Sequence, residues 1–194
     1  MSDIKTTIAN AVHHFNKICT HKYWVAKYCF KCGLYWQGIT HDLSKFSPTE
    51  FWESVKYYRG DSSPINAAKA DKGYSLAWQH HKGRNPHHYE YWTDNYDKGT
   101  TCIRMPYKYV IELICDWIGA GRAYQGKNFT YTGEYKYVQN KLETAKMHQD
   151  TKYFIDFIFE NLMKMENKNY PEKSIERFIL NEEILKKTYL EFIK

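Results

Sequence analysis

The sequence predicts an all-α fold. Three observations carry that reading. Apolar residues recur at helical spacing in almost every segment, proline, serine and glycine punctuate the segments where helices begin and end, and no convincing run of alternating strand residues occurs. A short hairpin near residues 127–132 is the one expected exception.

Ile4, Ile8, Ala11, Val12, Phe15 and Ile18 mark an amphipathic helix ending near Cys19. Thr20 then caps a second, from His21 to about Tyr35, with Trp24, Val25, Tyr28 and Cys32 on one stripe. Gly33 and Gly38 loosen the chain before "HDLSKFSP", where Ser47-Pro48 with Glu50 starts a helix to about Tyr58. "RGDSSPIN" has loop composition, and a helix from Ala67 to about Gln79 or His81 follows it. Gly83 ends that helix and Asn85-Pro86 starts another; "DNYDKGTT" is a second loop. Met105-Pro106 opens the most apolar helix, which reaches Ala120 or beyond. After Gly133, helices are expected over 134–148, 151–165 and 174–193, broken at Asn169-Tyr170-Pro171.

A chain of 194 residues suits one domain, residues 1–194. Its 18 tyrosines and 6 tryptophans can fill a core or stack on a flat ligand. The formal charge of +6 is spread along the chain without a basic block, a mild bias toward anions. A small phosphorylated ligand or nucleotide fits that bias, with nucleic acid as the less favoured alternative. The longest apolar run, "YVIELICDWIGAG", is interrupted by Glu112 and Asp116, so no membrane span is expected and the chain is expected in the cytoplasm. Five cysteines point to reduced thiols, and the Cys29/Cys32 pair lies within a helical pattern, where core packing is the default.

Nine histidines are many for this length, and six fall between His21 and His88. Imidazole is the commonest biological metal ligand, and carboxylates supply the negative charge that neutral imidazoles lack. Asp116 sits on a helix greasy nearly all round: Val110, Leu113, Ile114 and Trp117 form one stripe, and Ile111, Cys115 and Ile118 the opposite side. Glu112 and Asp116 share a narrow strip of it, where an unpaired carboxylate is costly, so something positive must meet them. Arg104 or Arg122 is one answer; a metal ion is the other.

The order His21, His41-Asp42, then a distant Asp116 resembles the H…HD…D signature of the HD-domain superfamily of metal-dependent phosphohydrolases, and "HDLSK" resembles its HD-x-x-K form. Together, "HKYWV", "HDLSKFSPTEF", "HHKGRNPHHYEYW" and "YVIELICDWIGAGR" resemble an uncharacterised HD-like family of bacteria and phages, a domain of unknown function. The resemblance covers roughly residues 13–126. It implies an HD-like helical bundle; residues 133–194 lie outside it and read as a C-terminal helical extension that packs on the core or mediates homodimerisation.

By the same resemblance His21, His41, Asp42 and Asp116 bind one divalent cation, with Asp42 bridging to a second held by one histidine of each pair. His81 and His88 are taken as the ligands, and His80 and His87 as the reserve, facing substrate or bonding to a ligand. The metal is Fe, Mn, Zn, Mg or Ni. On this reading Asp42 and Lys45 carry catalysis, Lys82 and Arg84 draw the anionic substrate to the mouth, and Arg122 does likewise. The expected activity is hydrolysis of a nucleotide or other small phosphoester. A di-iron oxygenase on the same ligands, and a non-catalytic binding or regulatory module, stand as alternatives.

Overall fold

The computed structural model describes residues 4–179 and 181–193. The extreme ends of the expected domain, and Leu180 within the expected helix 174–193, lie outside the described residues. The fold is all-α. Its helices are α1 (Ile4–Lys31), α2 (Tyr35–Thr40), α3 (Pro48–Lys56), α4 (Pro64–Lys72), α5 (Leu76–Lys82), α6 (Tyr107–Gln125), α7 (Tyr131–Thr144), α8 (Gln149–Asn167), α9 (Glu172–Ile179) and α10 (Glu182–Phe192). No helix among the described residues is long and apolar enough to cross a membrane.

Helix α6 is the axis of the molecule. Every residue from Val110 to Gly119 is buried, as the all-round apolar pattern requires. On one side α1 crosses it so closely that a Cβ on Gly119 would stand 2.6 Å from Val25 Cγ2 and 3.1 Å from the Val25 amide nitrogen. Gly119→Ala is therefore expected to cost about 2 kcal/mol by overpacking, a fall of roughly 5 °C in a thermal melt; an unchanged melting temperature would mean the two helices part freely. On another side α8 contributes Phe154, Ile155, Ile158 and Phe159 to the same core, with Phe159 against Trp117. Helix α10 closes it, where the Tyr189 hydroxyl donates to the Met105 carbonyl at 2.6 Å. The helices after Gly133 thus share one continuous core with α1 and α6. Cys29 and Cys32 are free thiols in that core, with Cys32 Sγ 3.9 Å from Cys115 Sγ.

Several expected boundaries move. The two N-terminal helices are one, because Thr20 does not cap: its hydroxyl donates back to the Asn16 carbonyl inside α1. The row Ile4, Ile8, Val12 and Phe15 faces outward, 48–76% exposed, while His14, Ile18, His21, Val25 and Tyr28 turn inward. The helix expected from Ala67 to His81 is two, interrupted by left-handed Gly73 and restarted by Ser75, whose hydroxyl accepts from the Trp78 amide. Asn85-Pro86 starts no α-helix; Asn85 instead bonds Ser44 Oγ and the His81 carbonyl. The hairpin lies at β1 (Thr93–Tyr96) and β2 (Gly99–Cys102), where a loop was expected, turning through Asp97-Lys98 into positive-φ Gly99. Residues 127–132 hold a 3₁₀ turn and the start of α7. The last expected helix is split because Asn181 caps α10, accepting from the amides of Glu183 and Ile184.

Candidate metal centre

Adjacent residues on a regular helix point about 100° apart, so His41 and Asp42 need a corner to face one place. The corner is Asp42 itself, left-handed at φ 56°, ψ 24°, between the end of α2 and a 3₁₀ turn over Leu43–Phe46. Gly38, expected to supply this irregularity, lies inside α2 and instead admits Phe30, whose Cε1 would be 2.7 Å from a Cβ there. Aspartate is among the few residues that tolerate the left-handed region.

From this corner the Asp42 carboxylate reaches two ways. Oδ2 faces His21 Nε2 and His41 Nε2, each at 3.3 Å, and Asp116 Oδ1 closes that group at 3.1 Å from His21 and 3.4 Å from His41. Oδ1 faces His81 Nε2 and His87 Nε2, each at 3.3 Å. His88 completes the second group, its ring 4.3 Å from that of His87 and 4.7 Å from that of His81. Within each group, His21, His41, Asp42 and Asp116 or Asp42, His81, His87 and His88, one ligand atom per residue lies within 4.8 Å of all the others. The groups are drawn from α1, the Asp42 corner, α5, the turn after it and α6.

Behind the rings stand two carboxylates. Glu112 Oε1 accepts from His41 Nδ1 at 3.0 Å and from His87 Nδ1 at 3.1 Å. Glu50 accepts from His81 Nδ1 at 2.7 Å and from His80 Nδ1 at 2.6 Å. A neutral imidazole that donates from Nδ1 has only a lone pair at Nε2. The Nε2 atoms of His41, His81 and His87 would then face carboxylate oxygens acceptor to acceptor, which a cation or bound protons must resolve. A third grouping, His41, His87 and Glu112, is accounted for by these hydrogen bonds.

The charge balance agrees. Burial works against ionisation of Asp42, yet His41, Lys45 and His81 hold its carboxyl well below the usual range. Burial likewise opposes a charge on His41, but Asp42, Asp116 and Glu112 raise its pKa well above the ordinary value; His81 is raised in the same way by Asp42 and Glu50. His88 goes the other way, pushed down by burial and by His87 and His81, which leaves it neutral. Asp42 Oδ1 and the Nε2 atoms of His87 and His88 are buried without a hydrogen-bond partner, and Oδ2, ion-paired with Lys45, meets none at hydrogen-bond geometry. Buried polar atoms of this kind are costly, and a mixed imidazole-carboxylate set is the chemistry a divalent cation takes. The residues fit a metal at both groups.

The other sequence candidates divide. His87, placed in reserve, is 1% exposed and joins His81 and His88 around Asp42. His80 turns to Glu50 and joins neither group. Lys45 Nζ lies 2.6 Å from Asp42 Oδ2; although burial opposes its charge, Asp42 and Asp116 raise its pKa. The group opens onto a cavity of about 480 Å³ lined by Lys45 and by Lys17, Lys69, Tyr124, Glu134 and Lys141, among others. Lys82, Arg84 and Arg122 do not line it. Arg84 is exposed and donates to the His80 carbonyl, and Arg122 packs over Phe129, bonds the Tyr28 hydroxyl at 3.1 Å and pairs with Glu172. An arginine so held is not free to draw in a substrate.

Sequence reading missed three features. Glu50 was seen only as a helix-start acid. His14, matching no motif, lines the cavity with an unpartnered Nδ1, its pKa pushed down to about 4 by burial and Lys45. Glu134 lines it from α7, its carboxyl pushed up to about 7 by burial and the charge of Asp116.

No curated protein and no solved structure matches the chain. Residues 10–161, which hold both ligand groups and α7, match one family, and the chain accordingly belongs to the family of unknown function DUF5662.

Proposed function

We propose that the protein is a metal-dependent phosphohydrolase of HD type, acting on a nucleotide or another small phosphoester. One observation carries the reading: a single buried aspartate offers one oxygen to each of two histidine-carboxylate groups, beside a lysine-lined cavity. The order of these ligands along the chain is the H…HD…D order of that superfamily. A divalent cation held there supplies Lewis acidity, activating water near neutral pH and polarising a phosphoryl oxygen. Asp42 is buried, ionised and oriented to accept from whatever donor approaches between the two groups. Glu112 and Glu50 fix the tautomers of His41, His87 and His81, so each ring presents Nε2 inward. Lys45, charged and facing the cavity, holds an anionic phosphoryl group against the cluster.

The test is elemental analysis of the tag-free protein, followed by a phosphoester panel with added Mn²⁺. Metal near one or two equivalents and phosphate release are expected, and Lys45→Ala should keep its metal while turnover falls roughly 100-fold or more. Stable metal with no release on a broad panel would overturn hydrolysis. Iron content with oxygen consumption would put oxidative cleavage on the same ligands in its place.

A further inference from the structure

Helix α7 forms a wall of the cavity through Glu134, Tyr137 and Lys141, which recur at helical spacing on one face. Glu134 is only 2% exposed, yet its carboxyl has no hydrogen bond or ion pair among the described residues. The opposing helix makes room for it: a Cβ on Gly121 of α6 would stand 2.3 Å from Glu134 Oε2. A carboxyl so enclosed, with no protein partner and with access only to the cavity it lines, is placed to bond a ligand group that enters there.

The neighbouring cations are otherwise engaged. Lys141 Nζ lies over the Trp117 ring at 5.5 Å, Lys17 donates to the Ala123 carbonyl, and Arg122 is held by Tyr28 and Glu172. What Glu134 awaits is therefore an N–H or O–H donor in aromatic surroundings, since Trp117 and Tyr137 line the same cavity. Oε2 packs against α6 at Gly121, so the carboxyl is left with its other oxygen unengaged, in a cavity that flat rings also line, and this matches a planar heterocycle with N–H groups along one edge, which a sugar hydroxyl does not match in shape.

We propose that Glu134 is a substrate-binding residue that accepts hydrogen bonds from the N–H edge of a nucleobase, while the phosphoester of the same molecule lies toward Lys45 and the metal groups. The placement of the phosphoester rests on the phosphohydrolase reading; the base contact does not.

The experiment measures equilibrium binding to metal-loaded protein of four nucleoside 5′-monophosphates, ribose 5-phosphate and inorganic phosphate. At least one nucleotide should bind ten-fold or more tightly than ribose 5-phosphate, the fold-change expected of hydrogen bonds to a charged or strongly polar buried group. In Glu134→Ala that preference should shrink to within about three-fold, with ribose 5-phosphate and phosphate bound as before. Glu134→Gln, of the same shape, should fold like wild type and weaken the preferred nucleotide, because its amide presents only one acceptor oxygen. No base preference in the wild type, or one untouched in both variants, overturns the proposal. Base preference that depends on Glu134 without phosphate release would sink the hydrolase reading and leave the base site standing. Phosphate release by a wild type that shows no base preference in binding would do the reverse.

Discussion

Asp42→Ala is expected to empty both ligand groups at once and to lower phosphoester turnover by about a thousand-fold or more, because the cation's contribution is lost with its ligands. The expectation follows from the split carboxylate, Oδ2 toward His21 and His41 and Oδ1 toward His81 and His87. Among the described residues no other side chain serves both groups through its ligand atoms. His21→Ala is the matched comparison, since it touches only the group closed by Asp116 and leaves Asp42, His81, His87 and His88 in place. Metal per chain, measured on protein purified without chelator, should fall close to zero for the first variant and by about one ion for the second if both groups are loaded. Wild-type metal content in Asp42→Ala would place the binding site elsewhere. Thermal melts with and without added metal separate ligand loss from misfolding, because only a variant that still binds is raised by the ion.

Replacement of Glu112 should have the next largest effect, although Glu112 is not expected to touch a cation. One of its oxygens holds His41 in the first group and His87 in the second, so its loss frees a ring in each. Losing one such orienting carboxylate typically costs ten- to a hundred-fold in metal affinity, and here two rings are released together. Glu112→Ala is expected to weaken metal binding by about a hundred-fold or more in competition with a chelator. Glu112→Gln should weaken it less, since an amide oxygen in the place of Oε1 still accepts from both Nδ1–H groups, though without the charge. Equal affinities for all three proteins would mean that the rings are set by packing alone.

Glu112 and Asp116 also show which parts of this site are legible in a sequence. Two acids four residues apart on a helix apolar all round violate the cost of burying charge, and that violation is visible without coordinates. It called for a partner at each acid; the rings of His21, His41 and His87 lie against them, whereas Arg104 and Arg122 pair elsewhere. The choice between His87 and His88 was not legible. Both belong to the second group, and their aim is set by a tight turn in which Asn85 ties back to Ser44 and to the end of α5. Spacing along the chain carries no record of such a turn.

The cavity wall was hidden for a different reason. Glu134, Tyr137 and Lys141 read as the ordinary polar face of a helix, and nothing in their pattern distinguishes a face turned to solvent from one turned to a cavity. The first helix posed the converse problem. Its most regular apolar row is exposed, because close approach to α6 at Gly119 and the demands of His14 and His21 decide which face turns inward. Amphipathic periodicity identified the helical segment; Ile18 of the first row and Val25, Tyr28 and Cys32 of the next stripe are buried, while Ile4, Ile8, Val12 and Phe15 are not.

The bend at position 42 has a consequence for how this protein tolerates change. Glycine and asparagine accept such a backbone but lack the negative charge, while glutamate brings the charge on a longer arm and has less ease in that conformation. Glycine or asparagine there would remove the shared carboxylate, and a longer acid would displace its oxygens from both clusters. Aspartate alone joins a short acidic arm to ease in that backbone, so replacement at this residue is expected to be costly even where the surrounding turn varies.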